Sequence, residues 1–135
     1  MENTIGHELV VWGWCWMILG ILSGSILGMW SFAGPLPLPK GYERYDSLPR
    51  RMTRLAHVAM FALPLITISY GDHIDATALS SSLKKLGGYS MIGCMIGIPI
   101  TLIMGSFKNV LKYLSYIPVA MGFVALGLMA YGQLL

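Results

Sequence analysis

Residues 86–107, LGGYSMIGCMIGIPITLIMGSF, form an apolar run that contains no charged side chain. Crossing the hydrocarbon core of a bilayer as an α-helix takes about 20 consecutive apolar residues, and this run is long enough. Glycine and proline would weaken a helix in water, but both are frequent in membrane helices, where no solvent competes for the backbone hydrogen bonds. The run therefore predicts a transmembrane helix.

Three further apolar stretches have the same character, over about residues 9–32, 52–70 and 113–135. Hydrophobic residues make up 56% of the chain and charged residues 11%. An average soluble domain has roughly 25% charged residues, so this chain has too little charge to cover a surface that faces water. We predict an all-α integral membrane protein in which residues 1–135 form a single transmembrane domain of four helices.

A cleaved signal peptide is the alternative interpretation of the first apolar stretch. Signal peptides begin with positive charge and have a short apolar core. Here the leader carries Glu2 and Glu8 and no Lys or Arg, and the apolar run is longer than such a core. We therefore expect the first stretch to be a membrane helix.

The basic residues predict how the protein is oriented. The chain has nine Lys and Arg residues, and all except Lys84 and Lys85 are predicted to lie on the same side of the membrane. They occupy the loop over residues 33–51, the start of the second helix and the loop after residue 107. Because basic loops remain in the cytoplasm, both termini are predicted to lie outside. A bacterial inner (plasma) membrane is the expected location.

The longest loop begins with residues 34–40, GPLPLPK. Alternating prolines favour an extended polyproline II conformation, so we expect a strap along the membrane interface. Ser47 followed by Pro49 is typical of the start of a helix, which places the N-cap of the second helix at Ser47.

Small residues and prolines are spread through the predicted helices. The glycines expected to pack helices together are Gly20, Gly24, Gly28, Gly93 and Gly97. Small residues let two helix backbones approach closely, and we expect some of these faces to meet a partner chain. Prolines inside predicted helices remove backbone hydrogen bonds and predict kinks, at Pro64, Pro99 and Pro118. The expected architecture is a Pro-kinked bundle packed through small residues.

No Asp, Glu, Lys or Arg lies at the centre of a predicted helix. Proton-coupled transporters normally keep an ionisable residue there. The sequence shows no nucleophile–base pair, phosphate-binding loop or metal-ligand spacing, and no basic stripe with interleaved aromatic residues. We therefore expect no enzymatic activity from this chain alone and no nucleic-acid partner. His7, Glu8, Asp72, His73 and Asp75 could meet on the outer side, but such loop residues are common without metal, and no metal site is predicted.

Arg50, Arg54 and His57 share one face of the second helix. An imidazole inside the membrane could ligate haem b, with the arginines paired to its propionates, or could hydrogen-bond a quinone headgroup. The second haem ligand would come from a partner chain, because His7 and His73 fall on the opposite side. Alternatively, the arginines bind anionic lipid and His57 bonds to a neighbouring helix.

The favoured interpretation is a non-catalytic accessory subunit of a larger membrane complex, of the bacterial respiratory or electron-transfer kind. Its expected partners are other membrane subunits and anionic lipid. The sequence leaves the cofactor unknown, with haem b or quinone shared with a partner chain as the candidates. A homo-oligomeric small transporter or channel is the first alternative, although the helices offer few polar residues for a path. A membrane-complex assembly factor is the second.

Overall fold

The structure, a computed structural model, describes residues 4–31 and 34–135. It has four α-helices: α1 (Ile5–Ser31), α2 (Leu48–Ile74), α3 (Ser81–Phe107) and α4 (Tyr116–Leu134). A 3-10 helix, Asn109–Ser115, leads directly into α4. With that 3-10 helix included in the last span, all four helices are long and apolar enough to cross a membrane. The prediction of an all-helical chain with four membrane-length helices is confirmed.

The helices extend beyond the apolar stretches that predicted them. α2 begins at Leu48 instead of 52 and ends at Ile74 instead of 70, and α3 begins at Ser81 instead of 86. The added turns are polar, and hydropathy alone assigns them to loops, but a helix continues until a capping or breaking residue ends it. Ser47 is the N-cap of α2, and Pro49 lies in its first turn, as predicted.

The other boundaries differ in smaller ways. α1 begins at Ile5 instead of 9, and its predicted end at residue 32 lies outside the described residues. Residues 113–115, predicted as the start of the last helix, belong to the 3-10 helix. The loop predicted over residues 33–51 ends at Ser47, and its described part, residues 34–47, is called the strap below.

The helices run alternately up and down and form a row. α1 packs on α2, α2 on α3 and α3 on α4, whereas α1 and α4 share no contact within the described residues. The strap and the 3-10 helix lie at one end of the row, the strap end. The start of α1 and the end of α4 lie at the other, which is called the termini end. Large apolar side chains such as Ile18, Ile21 and Phe123 are exposed on the two outer helices. Such surfaces suit lipid, whose tails are as apolar as these side chains.

The tightest cluster of buried side chains lies toward the termini end. It comprises Leu9, Tyr70, Ile74, Leu79, Met91 and Ala125. The Tyr70 hydroxyl donates to the Ala125 carbonyl oxygen at 3.1 Å and lies against Gly87. One tyrosine thereby links α2 to both α3 and α4, and its polar atom is satisfied inside the membrane.

Glycines of α1 form its contact with α2. Gly6, Gly13 and Gly20 are spaced seven residues apart, and a methyl group added to any of them would meet α2. A seven-residue spacing keeps one face of a helix toward a partner that crosses it at a small angle. Gly20 lies against the carbonyl oxygen of Met60, which Pro64 leaves without its usual helical donor.

Glycines of α3 contact α4 in the same way. A methyl group on Gly93 would collide with Met121, and one on Gly97 would lie 2.6 Å from Cβ of Pro118. The small-residue faces at Gly93 and Gly97 therefore contact a helix of the same chain. Gly28 is half-buried. Among the glycines whose surroundings are described, Gly127 on α4 is the one at which an added methyl group would meet no atom of another helix within 4 Å.

The prolines lie in two different settings. Pro64 and Pro99 are buried inside α2 and α3, where each leaves a carbonyl oxygen without its donor. Pro118 instead lies in the first turn of α4. The 3-10 helix precedes this turn directly, and the kink at Pro118 stays a prediction.

Candidate functional site at His57

His57 lies on the face of α2 that packs against α1. A methyl group on Gly24 would lie 2.7 Å from Cε1 of His57, so the imidazole occupies the space that this glycine leaves in α1. Phe61, one turn further along α2, contacts the imidazole edge to face, with 5.4 Å between the ring centroids. Two helices therefore position the ring.

Ser23 provides the polar contact to His57. Its Oγ lies 2.9 Å from Nδ1 of His57 and 2.7 Å from the carbonyl oxygen of Gly20. Two adjacent residues of α1 thus contact the same ring. Ser23 is its hydrogen-bond partner, and Gly24, which has no side chain, leaves room for it. Among the described residues, the other ring nitrogen, Nε2, has no hydrogen-bond partner, and it lies on the ring edge next to Gly24.

A cavity of about 250 Å³ lies beside His57 at the strap end. It is enclosed by α1, α2, α3 and the strap. Its wall comprises Ser23, Ile26, Leu27, Trp30, Pro39, Tyr42, Thr53, His57, Met60, Ile103, Ser106 and Phe107. Two of these wall residues, Ile26 on α1 and Phe107 on α3, are also exposed on the surface of the molecule.

Tyr42 closes the cavity from the strap side. Its side chain is buried, and its hydroxyl lies 2.7 Å from Oγ1 of Thr53 and donates to Oγ of Ser106 at 3.1 Å. The Trp30 ring packs edge to face on the Tyr42 ring, with 6.1 Å between centroids. One strap residue thereby bonds to α2 and α3 and packs on α1.

The turn before Tyr42 depends on Gly41 and Glu43. Gly41 has φ +89°, in the left-handed region that favours glycine. Its N–H donates to Oε1 of Glu43 at 3.0 Å. This hydrogen bond, and one from the backbone N–H of Glu43 itself, stabilise the carboxylate and hold the pKa of Glu43 below its usual range. The turn presents Tyr42 to the helices.

Arg50 and Arg54 face the strap. Nη1 of Arg50 donates to the Tyr42 carbonyl oxygen at 3.3 Å. Both guanidinium groups lie over the Tyr45 ring, 5.1 Å and 3.9 Å from its centroid for Arg50 and Arg54, in cation–π contact. Of the three residues that share this face of α2, His57 alone belongs to the described wall of the cavity.

A second recess, of about 470 Å³, lies on the surface of α2 near its start. It is lined by Leu48, Arg51, Met52, Arg54, Leu55 and Val58. Arg51 and Arg54 are the charged residues of this lining, and its apolar residues Leu48, Leu55 and Val58 are exposed. This composition suits a phospholipid, with phosphate on the arginines and an acyl chain on the apolar side chains.

The histidines and acids of the termini end are remote from His57. His73 follows His57 by sixteen residues on α2, so the two lie about 24 Å apart at 1.5 Å per residue. Nδ1 of His73 contacts the Ser69 carbonyl oxygen at 2.7 Å. Within residues 4–31 and 34–135, no three His, Cys, Asp or Glu side chains gather as metal ligands. A recess of about 510 Å³ between α2 and α4 also lies toward this end and is mostly apolar.

Sequence reasoning identified His57 but not the residues that complete its cavity. Thr53 precedes His57 by four residues, so helical spacing alone places the two on one face. In the sequence, the only sign that Ser23 belongs to the site is its position next to Gly24. Tyr42 and Ser106 come together through the fold, because the strap folds back onto the end of α3.

No protein-family model, curated protein or solved structure matches this chain. Its chemistry is therefore inferred from the geometry of the site. That geometry combines one histidine and several hydroxyl-bearing residues with apolar walls, two of whose side chains reach the molecular surface. Such a combination can hold the polar head of a membrane-soluble molecule.

Proposed function

We propose that this protein is a non-catalytic subunit of a larger membrane complex, of the electron-transfer kind found in bacterial inner membranes, and that its His57 cavity holds a quinone headgroup. The observation that carries the proposal is the position of His57 on the wall of a cavity that opens to lipid. A quinone ring carries polar oxygens and an apolar tail, which matches the polar wall and this opening.

The size of the cavity favours a quinone headgroup over haem. Pockets for drug-sized ligands measure about 300–1,000 Å³. A cavity of about 250 Å³ suits one or two fused rings but not the four pyrrole rings of a porphyrin. His73 is too distant to be a second haem ligand.

The direction of the opening supports a ligand that enters from the membrane. Ile26 on α1 is 47% exposed and Phe107 on α3 is 79% exposed. An isoprenoid tail can leave the cavity between these two side chains and continue into the lipid. The buried Tyr42 closes the strap side, so the polar headgroup would lie next to the interface.

The proposal includes a redox protein beside this chain, because quinones exchange electrons with redox cofactors. α1 and α4 expose the most apolar surface, and they are the helices on which we place neighbouring subunits. Gly127 on α4 leaves space for close approach of a partner helix.

The arginines of α2 support two further parts of the proposal. We place the strap end in the cytoplasm, because most basic residues lie there. The recess bordered by Arg51 and Arg54 then faces anionic headgroups of the inner leaflet. We infer that it binds an anionic phospholipid.

Purification of the tagged chain from its own membranes in mild detergent tests this function. We expect a redox protein to co-purify and organic extraction to recover quinone from the complex. His57→Ala should lower the quinone content several-fold, whereas His73→Ala, which changes an exposed histidine at the other end, should not. A complex that contains neither a redox protein nor quinone would rule the proposal out, and a haem absorption spectrum lost in His57→Ala would replace quinone with haem.

A further inference from the structure

The serine hydroxyls on the cavity wall direct their protons back into their own helices. Oγ of Ser23 lies 2.7 Å from the Gly20 carbonyl oxygen, and Oγ of Ser106 donates to the Ile103 carbonyl oxygen at 2.6 Å. A carbonyl oxygen can only accept, so each contact uses the single proton of its serine. Toward a ligand, the serine oxygens can therefore only accept a hydrogen bond, through their lone pairs.

Thr53 and Tyr42 show the same pattern. Oγ1 of Thr53 lies 2.9 Å from the Pro49 carbonyl oxygen and 2.7 Å from the Tyr42 hydroxyl, which in turn lies 3.1 Å from Ser106. Because Ser106 uses its proton on Ile103, Tyr42 donates to Ser106, and the Thr53 proton goes either to Pro49 or to Tyr42. In each case both protons are used inside the protein, and the oxygens can only accept from a ligand.

The contacts of Ser23 favour one tautomer of His57. With its proton donated to Gly20, Ser23 accepts in its 2.9 Å contact with His57, and Nδ1 carries the donated proton. A neutral imidazole protonated at Nδ1 has a lone pair at Nε2. Among the described residues, Nε2 has no hydrogen-bond donor, so it too is an acceptor for a ligand.

We propose, building on the function above, that this cavity selects the reduced form of the quinone, the quinol. A quinol hydroxyl donates to Nε2 of His57, whereas a quinone carbonyl would place its lone pairs against those of the wall. The indole N–H of Trp30 is the remaining side-chain donor on the described wall, and it can donate to an oxygen of either form. An unpaired buried acceptor weakens binding, so we expect quinol to bind about tenfold more tightly.

Equilibrium dialysis of the full chain in lipid nanodiscs tests this selectivity. The probes are a decyl-substituted benzoquinol, kept reduced under argon, and the matching benzoquinone. Ser23→Ala removes the acceptor that holds the proton on Nδ1, so Nε2 can carry it instead, and the ratio of the two affinities should fall to near one. Ser25→Ala is the matched control, since Ser25 is exposed and bonds only to the Ile21 carbonyl oxygen on its own helix.

The outcomes separate this inference from the function on which it rests. Tighter binding of quinol by the wild type and by Ser25→Ala, lost in Ser23→Ala, supports it. Equal or tighter binding of quinone by the wild type overturns the selectivity but leaves quinone binding in place. Absence of binding for both forms overturns the proposed function as well. If Ser23→Ala does not fold, the wild-type ratio alone decides.

Discussion

At the scale of single residues, the site depends on a glycine and a serine that are adjacent on α1. Gly24 gives the imidazole of His57 room to lie against the helix, and Ser23 bonds to its Nδ1. Phe61 contacts the ring from α2. Gly24, Ser23 and Phe61 therefore determine the orientation of the imidazole, and none of them needs to contact Nε2 to do so. Small changes at Gly24 should alter binding without removing any polar group.

Gly24→Ala should weaken ligand binding while leaving the fold intact. The added methyl group would lie 2.7 Å from Cε1 of His57, so the ring must shift. We expect a loss of about tenfold in quinol affinity, which corresponds to roughly 1.4 kcal/mol. Equilibrium dialysis in nanodiscs gives the affinity. Gly127→Ala is the control, because its added methyl group would meet no atom of another helix within 4 Å. Unchanged affinity in Gly24→Ala would contradict this role.

At the scale of helices, glycine determines how closely neighbours approach. The seven-residue spacing of Gly6, Gly13 and Gly20 brings α1 onto the backbone of α2. At Gly20, the neighbour is the Met60 carbonyl oxygen that Pro64 leaves without a donor. Close contact of α1 with this oxygen shields a polar atom that would otherwise face lipid. The proline on α2 and the glycine on α1 therefore complement each other.

Gly20→Ala should destabilise the pair α1–α2. Its methyl group would lie 3.0 Å from the Met60 oxygen and 3.1 Å from Cε2 of Phe61, and the backbone oxygen cannot move aside alone. Overpacking of this kind costs about 1–3 kcal/mol. Thermal unfolding in detergent should show a lower Tm than for Gly127→Ala, which shares the change in helix propensity but has no clash. Equal Tm values for the two variants would refute the close contact.

The arginines at the start of α2 should determine lipid retention. In Arg51→Gln combined with Arg54→Gln, the recess keeps its apolar wall but loses both positive charges. Each charge near an anionic surface contributes about 1 kcal/mol, so we expect at least tenfold less anionic phospholipid after purification. Native mass spectrometry measures the bound lipid. Lys84→Gln with Lys85→Gln removes the same charge at the other end, and an equal loss there would show that the recess has no specific role.

At the scale of the molecule, hydropathy predicted the helices but not their arrangement. Apolar runs identify spans because lipid imposes a minimum length on each of them. A glycine stripe shows that a close neighbour exists, but not which helix it is. Gly93 and Gly97, for example, meet α4 and not another chain. His57 could be found as a histidine within a span, whereas Tyr42 reaches the site through a strap without periodicity.

The orientation of the whole chain gives a further prediction. In a variant with Cys15 and Cys94 replaced by alanine, a new cysteine at Lys40 should react with a membrane-impermeant maleimide only after the cells are permeabilised. A cysteine at Ser82 should react in intact cells. Both positions are exposed, so a difference in labelling reports the side of the membrane on which each residue lies and not its burial. The reverse pattern would place the strap end, and with it the His57 cavity, on the outer side.

Photolabelling tests most directly whether the His57 cavity holds a quinone. The complex, in its own membranes, is illuminated with an azido-quinone, and the labelled peptides are identified by mass spectrometry. We predict labelling within residues 23–30 of α1 and 53–60 of α2, suppressed by excess unlabelled quinol and strongly reduced in His57→Ala. Labelling confined to other parts of the chain, or labelling here that neither the competitor nor His57→Ala affects, would contradict the account.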